Sequence, residues 1–324
     1  MYIQIPDAIK ALRNGNVVAI PTETVYGLAA DATNSDAVKK NFALKNRPLD
    51  NPLIVHLARK EDIVQYAYIQ NDIETLLIDK LMPGPFTLLL QKKNTIPDII
   101  TAWTELVSIR IPDHPLTQEL LSQLAFPLAA PSANPSGKAS PTTASMVHDY
   151  FGDALPILDG GPCHIGIEST VAQVVTTNNE TTVLIHRPWF ITPDDIQSVV
   201  WPAITVVYSN TKQNISPWIK YKHYAPKAQV HLLAEWMFPD TNNPTTAIIA
   251  TKEWFDEHLC DLENIGIHRY VRWSRDDLLS CAQNLFQLYH QCDRDGMKHI
   301  YIEALPELWV GYAIMNRVKK SIEY

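Results

Sequence analysis

Between residues 21 and 57 the chain gathers hydroxyls, a carboxylate, two cations, an amide and an imidazole among apolar runs. The three blocks are Pro21-Thr22-Glu23-Thr24-Val25-Tyr26-Gly27, Lys45-Asn46-Arg47-Pro48 and Asn51-Pro52-Leu53-Ile54-Val55-His56. Two cations two residues apart, followed by Asn51 and His56, are residue types that can grip a polyanion such as a triphosphate. The plain alternative is a solvated helix terminus at Lys45 and Arg47 and a hydrogen-bonded core histidine at His56. Arg110 interrupts the apolar run from Leu106 to Pro112. A lone buried arginine is costly unless paired, so it meets either an internal carboxylate or an anionic ligand in a cleft. Arg187 closes another apolar run and adds a fourth cation. Pro131-Ser132-Ala133-Asn134-Pro135-Ser136-Gly137 either only turns the chain or lets amides and hydroxyls approach a phosphate closely. No Ser-His-Asp order and no His-x-x-His spacing can be argued, so the residues suit positioning chemistry and none is assigned as a nucleophile or base.

These side chains need strand and helix ends to hold them. Asn16 to Ile20 reads as a core strand delivering the Pro21 loop to the surface, where open α/β sheets bind ligands. Ser35 or Asp36 is expected to cap a helix to about Asn46, stopped by Pro48, which leaves Lys45 and Arg47 at a terminus that favours cations. An edge strand within Met1 to Pro6 and a helix from Pro6 to Asn14 precede it. Helices follow over Glu61 to Tyr68 and Asp72 to Leu81, then a turn at Pro83-Gly84-Pro85 and a strand from Phe86 to Leu90. Strands are expected over Leu106 to Pro112, Phe126 to Ala130, Leu155 to Asp159 and Thr181 to Arg187. Ser140 with Pro141 is expected to open a helix to about Tyr150. Gly166-Ile167-Glu168-Ser169-Thr170-Val171 reads as a loop entering a strand. Ile204 to Pro226 reads as a linker, with Lys220, Lys222 and His223 giving it positive character. Beyond it strands (Gln229 to Leu233, Thr246 to Ala250, Ile267 to Val271, His299 to Glu303) alternate with helices (after Lys252, Asp276 to Gln291, Tyr312 to Ser321). That rhythm indicates a small parallel sheet.

With 324 residues and 46% hydrophobic content, the chain can bury a large core and is expected to form two domains. The net charge is −8, and residues 1 to 200 hold 14 Lys and Arg against 21 Asp and Glu. That balance argues against a broad basic nucleic-acid face, so any anion site is local. Cys163, Cys260, Cys281 and Cys292 show no CxxC or metal spacing and read as buried thiols of a reducing compartment. With no charged leader before an apolar stretch and no run of roughly 20 apolar residues, a cytoplasmic protein without membrane contact is expected.

The first three blocks, in this order and spacing, resemble the YrdC-like family of threonylcarbamoyl-AMP synthases, whose pattern reads Lys-Gly-Arg-Pro where this chain has Asn46. The Pro-Gly-Pro-Phe-Thr-Leu block, the Pro131 to Gly137 loop and Arg187-Pro188 are also similar to the family, with Trp189 in place of its usual glycine. Ser216-Pro217-Trp218 through His223-Tyr224-Ala225-Pro226 resembles the lid of the longer, two-domain branch, with Trp218 replacing a second glycine. The resemblance implies an α/β protein. An N-terminal twisted mixed sheet with flanking helices forms a concave cleft (residues 1–203), followed by a lid (204–226) and a smaller Rossmann-like C-terminal domain (227–324). It implies a nucleotidyltransferase making threonylcarbamoyl-AMP and pyrophosphate from L-threonine, bicarbonate and ATP, with Mg2+ accompanying ATP, for tRNA modification. Thr24, His56, Arg110, Ala130 and Ser169 would surround threonine. Lys45, Arg47, Asn51, Ser132, Asn134, Ser140, Arg187 and Tyr224 would surround ATP. Downstream tRNA threonylcarbamoyl transferase proteins would receive the adenylate, with little direct nucleic-acid binding. An RNA- or tRNA-binding module without catalysis and a carbamoyl transferase are the alternatives.

Overall fold

The computed structural model describes residues 1–209, 224–233, 243–258, 262, 267–272, 274–308 and 310–322. Two sheets organise them. The first contains β1 (Tyr2–Ile3), β2 (Val18–Ile20), β3 (Gly27–Asp31), β4 (Ile54–His56), β5 (Ala67–Tyr68) and β6 (Phe86–Lys92). It continues with β7 (Leu106–Arg110), β8 (Leu128–Ala129), β9 (Ile157–Leu158), β10 (Thr170–Thr177), β11 (Glu180–Arg187) and β12 (Thr205–Tyr208). Their spatial order is β1-β9-β2-β3-β8-β4-β7-β6-β10-β11-β12, with β5 paired to β6, and the pairing mixes parallel and antiparallel neighbours. The second sheet holds β13 (Gln229–Leu233), β14 (Thr246–Ala250), β15 (His268–Val271) and β16 (His299–Glu303), all parallel in the order β13-β16-β14-β15.

The central strands are apolar on both faces, as sheets covered by helices require. Val18, Ala19 and Ile20 are all buried, as are Ile54, Val55 and Phe86 to Leu90. One core packs Leu53, Val55, Leu88, Ile109 and Ala172 against the helix Asp72–Leu81. A second core spans both sheets: Val25, Ile165, Ile167 and Trp189 from the first half pack with Phe286, Leu285, Ile314 and Val318 from the helices of the second. Burying such surface contributes roughly 25 cal/mol per Å2, so the two sheets are held by a shared apolar interior.

Several expectations give way to local competition. Asn34 caps the helix Ser35–Lys45, its side chain accepting from the N–H groups of Asp36 and Ala37; an Asn one residue earlier outbid both expected caps. The helix expected from Ser140 starts at Ala144, capped by Thr143. Residues 141–142 stay outside the helix, where their carbonyls accept from Tyr26 N and Cys163 N, each at 2.8 Å. Of the helix expected over Glu61 to Tyr68 only Ile63–Tyr66 is α-helical; a tight 3-10 turn at Lys60–Asp62 precedes it, and Ala67 and Tyr68 pair with β6. The expected linker begins too early: Thr205–Tyr208 forms β12, parallel to β11. Strand β3 and the helices Pro115–Ser122 and Pro193–Val199 were not expected. Trp218, Lys220, Lys222 and His223 lie outside the described residues, as does Cys260.

Candidate active site

Strand ends and loops from residue 24 to residue 227 line a cavity of about 570 Å3. Every residue expected around threonine or ATP reaches it: Thr24, Lys45, Arg47, Asn51, His56, Arg110, Ala130, Ser132, Asn134, Ser140, Ser169, Arg187 and Tyr224. Register explains part of this convergence. Strands β4 and β7 run parallel with His56 opposite Arg110, and Val171 lies opposite Arg187, which sets that arginine beside Ser169.

Lys45, Arg110 and Arg187 are buried, and Arg47, though half-buried, has its guanidinium held by the chain, so neither Lys45 nor Arg47 is a freely solvated helix terminus. Lys45 is 1% exposed, and its ammonium donates to the carbonyls of Ser132 and Asn134. Burial, helped by the nearby Arg47, holds it well below the usual lysine value. Arg47 donates from Nε to Asn51 O at 2.9 Å and from Nη2 to Pro52 O at 2.8 Å, with Asn51 Oδ1 as a third acceptor. Burial pushes it down to about 9, and Arg187 works in the same direction, yet it keeps its charge at neutral pH. Arg187 donates from Nε to Ser169 O at 2.7 Å and from Nη2 to Ser169 Oγ at 2.9 Å, and burial lowers it to about 10. Ser169 Oγ also lies 2.7 Å from Thr87 Oγ1.

Arg110 meets an internal carboxylate and also borders the cavity. Its Nη2 stands 2.7 Å from Oε1 of Glu23, which is 1% exposed, in an ion pair without hydrogen-bond alignment. Its Nε donates to Gly84 O at 3.3 Å, and the side chain still borders the cavity. His56, fully enclosed, is lowered to about 3 by burial and by Arg110, so at neutral pH it is an uncharged hydrogen-bonding ring. Its Nδ1 lies 3.1 Å from Ile54 O.

Hydroxyls and amides complete the wall. Thr24 Oγ1 is 2.8 Å from Thr22 Oγ1, and Asn134 Nδ2 donates to Pro135 O and Lys138 O at 2.9 and 2.8 Å. Ser140 Oγ donates to Glu168 Oε1 at 2.6 Å. Tyr224 closes one side, stacked on Phe286 at 5.5 Å between ring centroids. Burial raises its hydroxyl to about 12, so it is a neutral phenol.

Sequence reasoning passed over Glu23 and Glu168 as site residues although both stood inside quoted motifs; what it lacked was their partners, Arg110 and Arg317, which lie 87 and 149 residues away. Trp189 does not shape the cavity. It is 2% exposed, donates from Nε1 to Ile167 O at 2.8 Å and packs in the core shared by the two sheets. Both carboxylates near the cavity face arginines, and among the described residues no group of three His, Cys, Asp or Glu side chains gathers to hold a metal. Among the same residues no helix is long and apolar enough to cross a membrane.

The family model described as telomere recombination matches residues 10–187, and the one described as threonylcarbamoyl-AMP synthase, C-terminal domain, matches residues 191–322. The threonylcarbamoyl-AMP synthase of Bacillus subtilis is 39% identical over 98% of this chain and 92% of its own. The chain belongs to the threonylcarbamoyl-AMP synthase family. That of Pyrococcus abyssi is 36% identical over 97% of this chain and 92% of its own. The crystal structure of P. abyssi Sua5 complexed with L-threonine superposes with a TM-score of 0.83 at 30% identity, covering 100% of this chain and 98% of that one. Family membership and the mixed sheet with flanking helices thus agree with the expectation drawn from the three motifs.

Proposed function

We propose that this cavity joins L-threonine, bicarbonate and ATP into threonylcarbamoyl-AMP and pyrophosphate, as a nucleotidyltransferase. The observation that carries the reading is the convergence of Lys45, Arg47, Arg110 and Arg187 on one cavity large enough for a nucleotide and an amino acid together.

The chain's role is to hold and to neutralise. Arg110 meets the threonine carboxylate with its fork, in the bidentate geometry that suits arginine. Thr24, neutral His56, Ala130 and Ser169 surround the side chain and the amine. The threonine ammonium group condenses with bicarbonate, releasing water and a proton and leaving a carbamate. A carbamate oxygen then forms a bond to the α-phosphorus of ATP, and the bond from that phosphorus to the bridging oxygen breaks, so pyrophosphate leaves with the electron pair. Arg47, Arg187 and Lys45 spread the charge that grows on the phosphates, while the acceptor supplies the nucleophile. Asn51, Ser132, Asn134 and Ser140 fix the nucleotide, and Tyr224 covers it. Mg2+ enters with ATP as part of the substrate, held by phosphate oxygens and water, because the neighbouring carboxylates are already spent on arginines. The labile adenylate is then consumed by proteins that carry the threonylcarbamoyl group to tRNA. A reducing cytoplasm accords with the buried free thiols of Cys163, Cys281 and Cys292.

Pyrophosphate release from ATP tests the reading. It is expected to require both threonine and bicarbonate; release that ignores threonine, or none at all, would count against it. An RNA-binding module would bind RNA without releasing pyrophosphate, and the net charge of −8 does not favour it.

A further inference from the structure

Glu168 is the anomaly of the cavity wall. A carboxylate lining a pocket that gathers cations for an anionic ligand works against that ligand unless its charge is cancelled. Glu168 is 6% exposed, and its Oε1 is taken by the Ser140 hydroxyl. Its Oε2 accepts from Nε of Arg317 at 3.2 Å. Arg317 belongs to the last helix, Val310–Ile322, beyond the second sheet, and is 0% exposed. Its Nη1 donates to Pro188 O at 2.7 Å, and its guanidinium carbon lies 5.8 Å from the Trp189 ring and 5.6 Å from the Tyr224 ring. Two aromatic faces, a carbonyl and a carboxylate therefore fix this one side chain.

We propose that Arg317 is the counter-ion that allows Glu168 to stand in the wall of the nucleotide pocket, which makes it a positioning residue supplied by the C-terminal half. The proposal rests on the reading of the cavity as an ATP site. It also accounts for Trp189: the indole forms one face of the slot that holds Arg317 against Glu168. Arg317 touches no part of the reaction itself and acts through the charge and placement of Glu168 and through the ring of Tyr224.

The test is a binding series with adenosine, AMP and ATP on the full chain, comparing wild type, Arg317→Met and the double variant Arg317→Met/Glu168→Gln. Methionine keeps much of the packing volume and removes the charge. In Arg317→Met the uncompensated carboxylate should weaken ATP about tenfold, with a smaller loss for AMP and little for adenosine. The double variant, in which both charges are gone, should bind ATP within about threefold of wild type, since removing both partners of a buried pair is far better tolerated than removing one. Equal losses for adenosine and ATP, or no loss for ATP, would overturn the proposal. So would a double variant that folds with a wild-type melting curve yet still binds ATP about tenfold more weakly. If Arg317→Met does not fold, the double variant alone decides between these results. Because the series reads binding rather than turnover, a failed counter-ion and a failed reaction are distinguishable.

Discussion

Arg110 and Glu23 meet at 2.7 Å in the interior, and the same guanidinium borders the cavity. Replacing Arg110 by alanine therefore does two things: it removes the proposed partner of the threonine carboxylate and strands Glu23 as a lone buried charge. Threonine binding is expected to weaken by about 2 to 5 kcal/mol, read as a raised KM for threonine with the KM for ATP much less affected. An unchanged threonine KM would remove Arg110 from that role. His56 gives a second prediction. Its folded pKa, about 3, lies below the ordinary 6.5, so the unfolded chain binds more protons between those values. Stability from this group is complete above about 6.5 and is lost as pH falls toward 3; His114 and His186, lowered by burial, act in the same direction. His56→Gln should flatten the fall in melting temperature between pH 7 and pH 5, and an unaltered slope would contradict the buried neutral ring. The motifs made the identity of these residues legible. Their partners were not, because an ion pair between residues 23 and 110 leaves no mark in local spacing.

At the scale of single elements, backbone geometry decides which departures from the family pattern matter. Asn46 ends its helix at φ 51°, ψ 45°, the left-handed conformation for which glycine is the usual choice and which asparagine tolerates. Asn46→Gly should leave melting and activity close to wild type, whereas Asn46→Ala should cost about 1 kcal/mol or more in chemical denaturation. Gly166 is less forgiving. At φ +90°, a Cβ there would stand 2.3 Å from Gln283 Cα and 2.9 Å from Gln283 O, in the helix Leu278–Arg294. Gly166→Ala should destabilise the chain by about 2 kcal/mol or more and weaken ATP binding through the adjoining Glu168 and Ser169. A variant with wild-type melting would show that this close approach is not needed. The helix Asp72–Leu81 was legible because its apolar residues recur three and four apart, and β14 and β16 because short apolar runs alternate with helical stretches. Ser140 was misread as a cap because its hydroxyl is claimed by Glu168, and Thr205–Tyr208 because its strand character comes from pairing with β11.

For the molecule as a whole, the second sheet is part of the structure around the cavity. Phe286 lies under Tyr224, Gln283 Nε2 donates to His164 O, and His290 meets Asp149 at 2.8 Å. The sequence showed that two α/β units exist, but not that they share one core, since the shared surface is assembled from residues far apart along the chain. A chain ending at residue 209 would expose Trp189, Ile165 and Ile167 and lose Tyr224. It should aggregate or melt at a markedly lower temperature and bind ATP poorly; a well-behaved, fully active fragment would show that the second sheet is dispensable. The central claim is chemical: cations gathered from between residues 45 and 187 align a carbamate with the α-phosphorus of ATP. Incubation of the protein with ATP, L-threonine and isotopically labelled bicarbonate tests it most directly. The expected result is label in a threonine-containing adenylate formed together with pyrophosphate; ATP turnover that leaves all label in bicarbonate would contradict it.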